Sequence, residues 1–180
     1  MNVQSGISVR RAKGSDLSCI ARVNAAVFLG HKSEEESAQE WAKCLFRAFP
    51  LYQYFVATGA GGGVAGYIGW QIHGGFLRAE PVVELEQIGV DPAYQGKGCG
   101  SALLKESMKE VISWVRARNN RIESHITFIV WVYALNFNAL SVYAKDFTDG
   151  VTGMRVQYGS RAENMLRMRV PIVMPIRGDA

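Results

Sequence analysis

Cysteine and histidine are scarce here, with three of each in 180 residues. Cys19, Cys44 and Cys99 cannot all pair, none sits in a C-x-x-C, and no histidine stands at a ligand spacing from a cysteine. That arrangement argues against a disulfide framework and fits reduced, buried thiols in a cytoplasmic protein. His31, His73 and His125 are scattered, so no H-E-x-x-H helix or other local zinc motif exists and no metal is expected. Long apolar runs are missing too. The longest, Ile126 to Leu135, is strand-sized, and no membrane partner is expected. Met1 to Ser8 is polar with no apolar h-region, so no signal peptide is expected. No Lys/Arg block stands out from the net charge of +4, which suits an anionic ligand and gives nucleic acid no particular support. Repeats, low-complexity stretches and linkers are also lacking, and the expectation is one domain over residues 1–180.

What the chain does have is core material, at 48% hydrophobic and 20% charged residues. Ile7 to Arg11 alternates as a first strand. Asp16 or Ser15 then caps a helix with Leu17, Ile20, Ala21, Asn24 and Phe28 at helical spacing. A second helix opens with a capping box, Ser33 with Glu36, carries the stripe Trp41, Leu45 and Phe49, and stops at Pro50. The acidic start of that helix answers its dipole, and it could also attract a cation. Tyr52 to Thr58 and Val64 to Ile72 form a hairpin around Gly59 to Gly63. Val82 to Val90 is a strand, Gly98 to about Arg116 a long helix, and Ile126 to Tyr133 an apolar strand expected to be central and buried on both faces. Asn136 to Lys145 is a short helix, and Met154 to Tyr158 with Met165 to Ile172 close the chain as two strands. The order implies an α/β (α+β) domain with a mixed central sheet flanked by helices.

The stretch from Ile88 to Leu104 carries the chemistry. A strand ends, a short loop follows, and Gly96, Gly98 and Gly100 alternate at the mouth of a helix. Glycines let backbone N–H groups converge on one point, and the helix dipole and Lys97 add positive potential. Three glycines at a helix start cost helix stability, which speaks against a purely structural turn. A P-loop fails at two positions, because Gly98 follows Lys97 and Asp91 stands at the first glycine. A dinucleotide fingerprint fails because the loop Asp91 to Gln95 separates the glycines from the strand.

A third pattern fits. Gln95-Gly96-Lys97-Gly98-Cys99-Gly100 resembles the Gln/Arg-x-x-Gly-x-Gly/Ala signature of GNAT-superfamily N-acetyltransferases. Val90-Asp91-Pro92-Ala93-Tyr94 resembles the family's V-x-P-x-Y/F segment. Asn136, Ala139, Leu140, Val142, Tyr143, Lys145 and Phe147 resemble its second block, with Asp146 where the family usually has Gly. Gly150 to Gly153 reads as extra loop. The order of elements is also the family's, and the resemblance covers most of the chain. It implies a mostly antiparallel sheet with splayed central strands, and acetyl transfer from acetyl-CoA to an amine, leaving room for a homodimer. By position, the turn from Gln95 through Gly96, Lys97, Gly98, Cys99 and Gly100 to Ser101 would bind the cosubstrate, with the backbone amides of 96–100 on the pyrophosphate. Ile88 and Val90 would pair their main chain with the pantetheine, Asn136 would touch the same arm, and Tyr143 would protonate the departing thiolate. Tyr158 to Ile172 has some likeness to ribosomal-protein N-terminal acetyltransferases, whose acidic residue on the central strand would fall here at Trp131.

Attack of an amine on a thioester needs a neutral amine, a polarised carbonyl and a protonated leaving group. Glu84 and Glu86 are two apart on one strand and share a face, and Glu84, one step nearer the strand's start where an acceptor would enter, is the slightly favoured base. In an interior strand their pKa would rise toward neutrality, as a base for an ammonium requires; at an open rim both would simply be solvated, and a water chain could carry the proton instead. Cys99 stands at a helix N-terminus, which would lower its pKa, yet no acid or His is near in sequence and it reads as a small spacer. A non-catalytic acyl-CoA-binding domain of the same fold and a dinucleotide-dependent oxidoreductase are the competing functions. The acceptor amine is not legible: protein N-termini, lysine side chains, amino acids, polyamines and aminoglycosides all qualify.

Overall fold

The computed structural model of the protein describes residues 6–29, 35–74, 78–119, 122, 125–157 and 161–171. Along the chain lie β1 (Ser8–Arg11), α1 (Leu17–Asn24), α2 (Glu35–Arg47), β2 (Tyr52–Thr58), β3 (Val64–His73), β4 (Val82–Val90), α3 (Cys99–Arg118), β5 (His125–Tyr133), α4 (Phe137–Tyr143), β6 (Val151–Gln157) and β7 (Arg161–Pro171). The strands follow the order β1-β2-β3-β4-β5-β7-β6. β1–β2, β2–β3, β5–β7 and β6–β7 are antiparallel, and β4–β5 is parallel. This is the mixed, mostly antiparallel sheet with helices that the sequence implies. The expected capping box at Ser33, and the strand ends expected at Tyr158 and Ile172, lie outside the described residues.

The chain divides into two compact units, Met1–Gln71 with Glu86–Ser113, and Ile72–Leu85 with Trp114–Ala180. The first holds the β1–β2–β3 ladder and an apolar core in which Leu17, Ile20 and Val23 of α1 meet Tyr52, Tyr54 and Val56 of β2. Asp16 departs from its expected role. A 3-10 turn, Gly14–Asp16, precedes α1, and the Asp16 side chain caps no N–H of that helix. Its carboxylate instead accepts from Arg10 at 2.7 and 2.9 Å and from the Lys13 N–H at 2.7 Å.

The face that α2 buries also differs. Ala38 and Ala42 are buried, with Leu45 and Phe46 packed beside them, while Trp41 and Phe49 are more than half exposed. Small side chains at i and i+4 bring the helix backbone close, and Trp41, one residue out of phase with Ala42, is turned to the surface. Further along, the indole Nε1 of Trp70 donates to Ser107 Oγ at 2.8 Å, a fully buried bond that ties β3 to the middle of α3.

In the second unit β4 pairs with β5 over Val82–Leu85 against Thr127–Val130. β5 does not bury both faces as its composition implied. Ile126, Phe128, Val130 and Val132 are buried and the alternate residues only half so. The half-buried face carries polar cover: Arg155 stacks its guanidinium 4.2 Å from the Trp131 ring and pairs with Glu163 at 2.7 Å. The segment expected as extra loop is already strand, since β6 begins at Val151, with a register shift between Val151 and Gly153.

Candidate active site

The glycine turn lies in the first unit. β4 runs to Val90, Asp91 accepts from the Ala93 N–H at 3.0 Å, and a 3-10 turn, Pro92–Tyr94, leads into residues 95–98. Gly96 and Gly98 have φ of +70° and +81°, a region closed to most L-residues, so the two glycines are conformational requirements. α3 follows at Cys99, and the first N–H groups of any helix have no partner within it. Residues 95–98 are exposed, and a Cβ at Gly96 or Gly98 would meet no atom within 4 Å, so the surface over the turn is open. The turn is braced from within. Gln95 Nε2 donates to the Val90 carbonyl at 3.1 Å, so one lone pair of that carbonyl is already used. Lys97 Nζ donates to the Ala93 carbonyl at 2.8 Å and stands 5.6 Å from the centre of the Tyr94 ring. Asp91 also pairs with Arg22 of α1 at 2.9 Å.

Cys99 corrects an expectation. It is 1% exposed, and burial pushes its thiol pKa up, opposite to the drop its place at a helix start suggested. Desolvation of the thiolate outweighs the helix end.

Glu86, also in the first unit, is the floor of a different construction. Tyr52 donates its phenolic proton to the Glu86 carboxylate. Tyr54 donates to Gln87 Oε1 at 3.3 Å, and Asn24 Nδ2 donates to Tyr67 Oη at 2.6 Å. Tyr52 and Tyr54 share a face of β2, yet they reach the consecutive residues Glu86 and Gln87, so strict alternation lapses in β4 at this point. Burial holds the pKa of all three phenols far above the ordinary tyrosine value, and they remain proton donors throughout the working range. Beside them opens a cavity of about 480 Å³ lined by Asn24, Phe28, Ser37, Trp41, Glu86 and Gln87.

The other proposed catalytic residues lie in the second unit. Glu84 meets His73 Nε2 at 2.5 Å. The two glutamates are therefore not a pair of bare carboxylates, since each has its own partner. Tyr143, 8% exposed, sits at the end of α4 with its ring edge-on to Phe147, centroids 6.0 Å apart. Burial raises its pKa to about 12, so it is not the phenol of ordinary acidity that the sequence suggested. Asn136 caps α4, its Oδ1 accepting from the Ala139 N–H at 3.1 Å. Ile88 and Val90 are half-buried on β4, and Ser101 is exposed in the first turn of α3.

Sequence reasoning missed the tyrosine cluster and its amide partners. The available signal was the i, i+2 spacing of Tyr52 and Tyr54, the same spacing that drew attention to Glu84 and Glu86.

Residues 22–147 match the model of the acetyltransferase (GNAT) family. A mycothiol acetyltransferase of Amycolatopsis mediterranei is 32% identical over 164 residues, which is 87% of this chain and 50% of that protein. A mycothiol acetyltransferase of Nocardiopsis dassonvillei is 28% identical over 118 residues, 57% of this chain and 34% of its own. The chain thus spans a third to a half of the length of these curated relatives. Among solved structures, the ribosomal-protein-S18-alanine N-acetyltransferase of Escherichia coli is similar in fold, with a TM-score of 0.62, 22% identity, and 97% of this chain and 99% of that one covered.

Proposed function

The chain belongs to the acetyltransferase (GNAT) family, and on that premise we propose that it moves an acetyl group from acetyl-CoA to a primary amine by direct attack. The observation that carries this reading is the pair of left-handed glycines, Gly96 and Gly98, at the mouth of α3. Backbone N–H groups of Gly96, Lys97, Gly98, Cys99 and Gly100 would hold the pyrophosphate there, where the helix end favours negative charge. The main chain of Ile88 and Val90 and the side chain of Asn136 would hold the pantetheine arm. Acetyl-CoA supplies the activated acyl group when bound.

The chain's own residues handle protons. A primary ammonium has a pKa near 10 and is almost fully protonated at neutral pH, so a base must accept its proton. Glu86 is the preferred base, because it lines the cavity where an acceptor can enter while Tyr52 steadies its carboxylate. Glu84, held by His73, is the second candidate. Tyr143 would stabilise the departing thiolate with its phenolic hydrogen.

Calorimetry with acetyl-CoA on the wild type and on Gly98→Val tests the site. A β-branched residue at positive φ strains the turn, and affinity is expected to fall about tenfold or more. Equal affinity would overturn the site, and equal binding of NADH would favour the oxidoreductase. Thiol release with a panel of amines separates a catalyst from a domain that binds without turnover.

A further inference from the structure

We propose that Arg167 and Arg169 bind a carboxylate of the acetyl acceptor, remote from its reacting amine, an inference that rests on the acetyl-transfer reading above. Both stand on β7 at positions i and i+2, so they share a face of the sheet. Each donates through Nε to the same atom, Oδ2 of Asp149, at 3.1 and 3.0 Å. Asp149 is itself fixed, since its N–H donates to the Arg167 carbonyl at 2.9 Å in the segment that leads into β6. The brace therefore reaches the arginines from the β6 side of β7.

This arrangement leaves both charge and donors over. Two guanidiniums meet one carboxylate, and the nearby Arg155 is already matched by Glu163 at 2.7 Å. Cations drawn to one oxygen repel each other, and a second anion offsets that repulsion. Among the described residues, the bonds from Nε to Asp149 are the only ones that the side chains of Arg167 and Arg169 make. Each keeps its Nη1 and Nη2 edge, the edge that grips a carboxylate with two parallel N–H···O bonds. Both side chains are within reach of a ligand, at 37% and 54% exposure.

Register places the opposite charge on the same face. Arg167 faces Ile129 of β5, and Ile129 faces Glu84 of β4, all within the second unit. Neighbouring strands lie about 4.8 Å apart, so the Glu84 and Arg167 backbones are separated by about 10 Å. The side chains do not close that gap. Glu84 is drawn to His73 on β3, away from β5, while Asp149 draws the arginines toward β6. Half-buried Ile129 lies between them as an apolar floor. An acceptor that answers this row has its ammonium drawn to Glu84 and its carboxylate about nine bonds away. An α-amino acid carries both groups on one carbon and cannot span it.

The test is kcat/KM by thiol release at saturating acetyl-CoA with 8-aminooctanoate, its amide 8-aminooctanamide, and the isomer 2-aminooctanoate. The 8-amino acid is expected to exceed its amide by about tenfold, through KM, and the 2-amino isomer by about tenfold or more. In the double variant Arg167→Gln, Arg169→Gln the acid-to-amide ratio is expected to fall toward one. Octanoate reads the same site without a variant: on the wild type it should compete with the amide acceptor about tenfold better than octanamide does. Acid and amide used equally, the 2-amino isomer used as well as the 8-amino acid, a ratio unmoved in the double variant, or octanoate and octanamide competing alike would each overturn the proposal. Thiol release with any amine upholds acetyl transfer whatever the ranking. If no amine releases thiol, acetyl transfer fails, and calorimetric titration of the CoA-loaded protein still decides the arginine site: 8-aminooctanoate bound at least tenfold more tightly than its amide supports it, and equal or absent binding overturns it.

Discussion

Tyr52 on β2 donates its phenolic hydrogen to Glu86 on β4, with β3 lying between the two strands. The bond passes over Gly69 of β3. A Cβ at Gly69 would run into the Tyr52 hydroxyl and come within 2.8 Å of Cζ. One oxygen of the carboxylate thus has a fixed, neutral donor at the edge of the cavity that Glu86 lines.

Removing that donor should be visible in the pH profile. A hydrogen bond to a carboxylate favours its charged form, so Tyr52→Phe should raise the proton affinity of Glu86. The acidic limb of kcat/KM is expected to move to higher pH by about one unit, and to vanish in Glu86→Gln. Tyr52 cannot blur the result by titrating, because burial keeps it protonated, and Tyr54 and Tyr67 beside it stay neutral for the same reason. A limb that stays in place in both variants would transfer the role of base to Glu84 or to water.

Gly69→Ala tests the same bond from the other side. The methyl group takes the volume of the Tyr52 ring, which is 3% exposed and has little room to retreat. Overpacking of this kind costs about 1–3 kcal/mol, readable by urea unfolding. The acidic limb should shift in the direction of Tyr52→Phe. Full stability with an unchanged profile would mean that the ring does not lie over Gly69.

Asp16 gives a prediction about folding. Hydrogen bonds from the Arg10 guanidinium, joined by the Lys13 N–H, hold its carboxyl below the usual aspartate value. A depressed folded pKa contributes stability that is fully present above the unfolded pKa of about 3.9 and is lost as pH falls through the folded value. Asp16→Asn should therefore cost about 1–3 kcal/mol at pH 7, and the gap to wild type should narrow in acid. Urea unfolding of both proteins at neutral and acid pH measures it, and a gap independent of pH would assign the cost to packing.

The strands and the glycine turn were legible for one reason: their information is local. β4 is bounded as expected because Asp91-Pro92 ends it, and the left-handed positions are spelled by Gly96 and Gly98 themselves. What stayed hidden depends on register. Nothing near Glu86 in sequence says that Tyr52, 34 residues earlier, will lie across β3 from it. Of the stripe expected on α2, Leu45 does pack on the core, whereas Trp41 and Phe49 were misjudged because ring size suggested burial and close packing selected Ala38 and Ala42. Cys99 was misjudged because its place at a helix start is visible in sequence and its desolvation is not.

Tyr143 remains the proposed donor to the thiolate, and its surroundings set what it can do. At a pKa of about 12 the phenol holds its proton over the whole working range, so no limb of the kcat profile below about pH 11 should report it. The same shift makes it a weaker acid than a solvent-exposed tyrosine. Its contribution is then a hydrogen bond to the developing thiolate in a dry site more than a completed proton transfer. Loss of one such donor lowers kcat by about 10²- to 10³-fold, and that is the drop expected in Tyr143→Phe. The ring keeps its edge-on contact with Phe147, so stability and acetyl-CoA affinity should stay close to wild type. Single-turnover thiol release with matched calorimetry separates the two effects. A fall in kcat at constant affinity supports the donor role, whereas unchanged turnover would mean that the thiolate leaves without Tyr143.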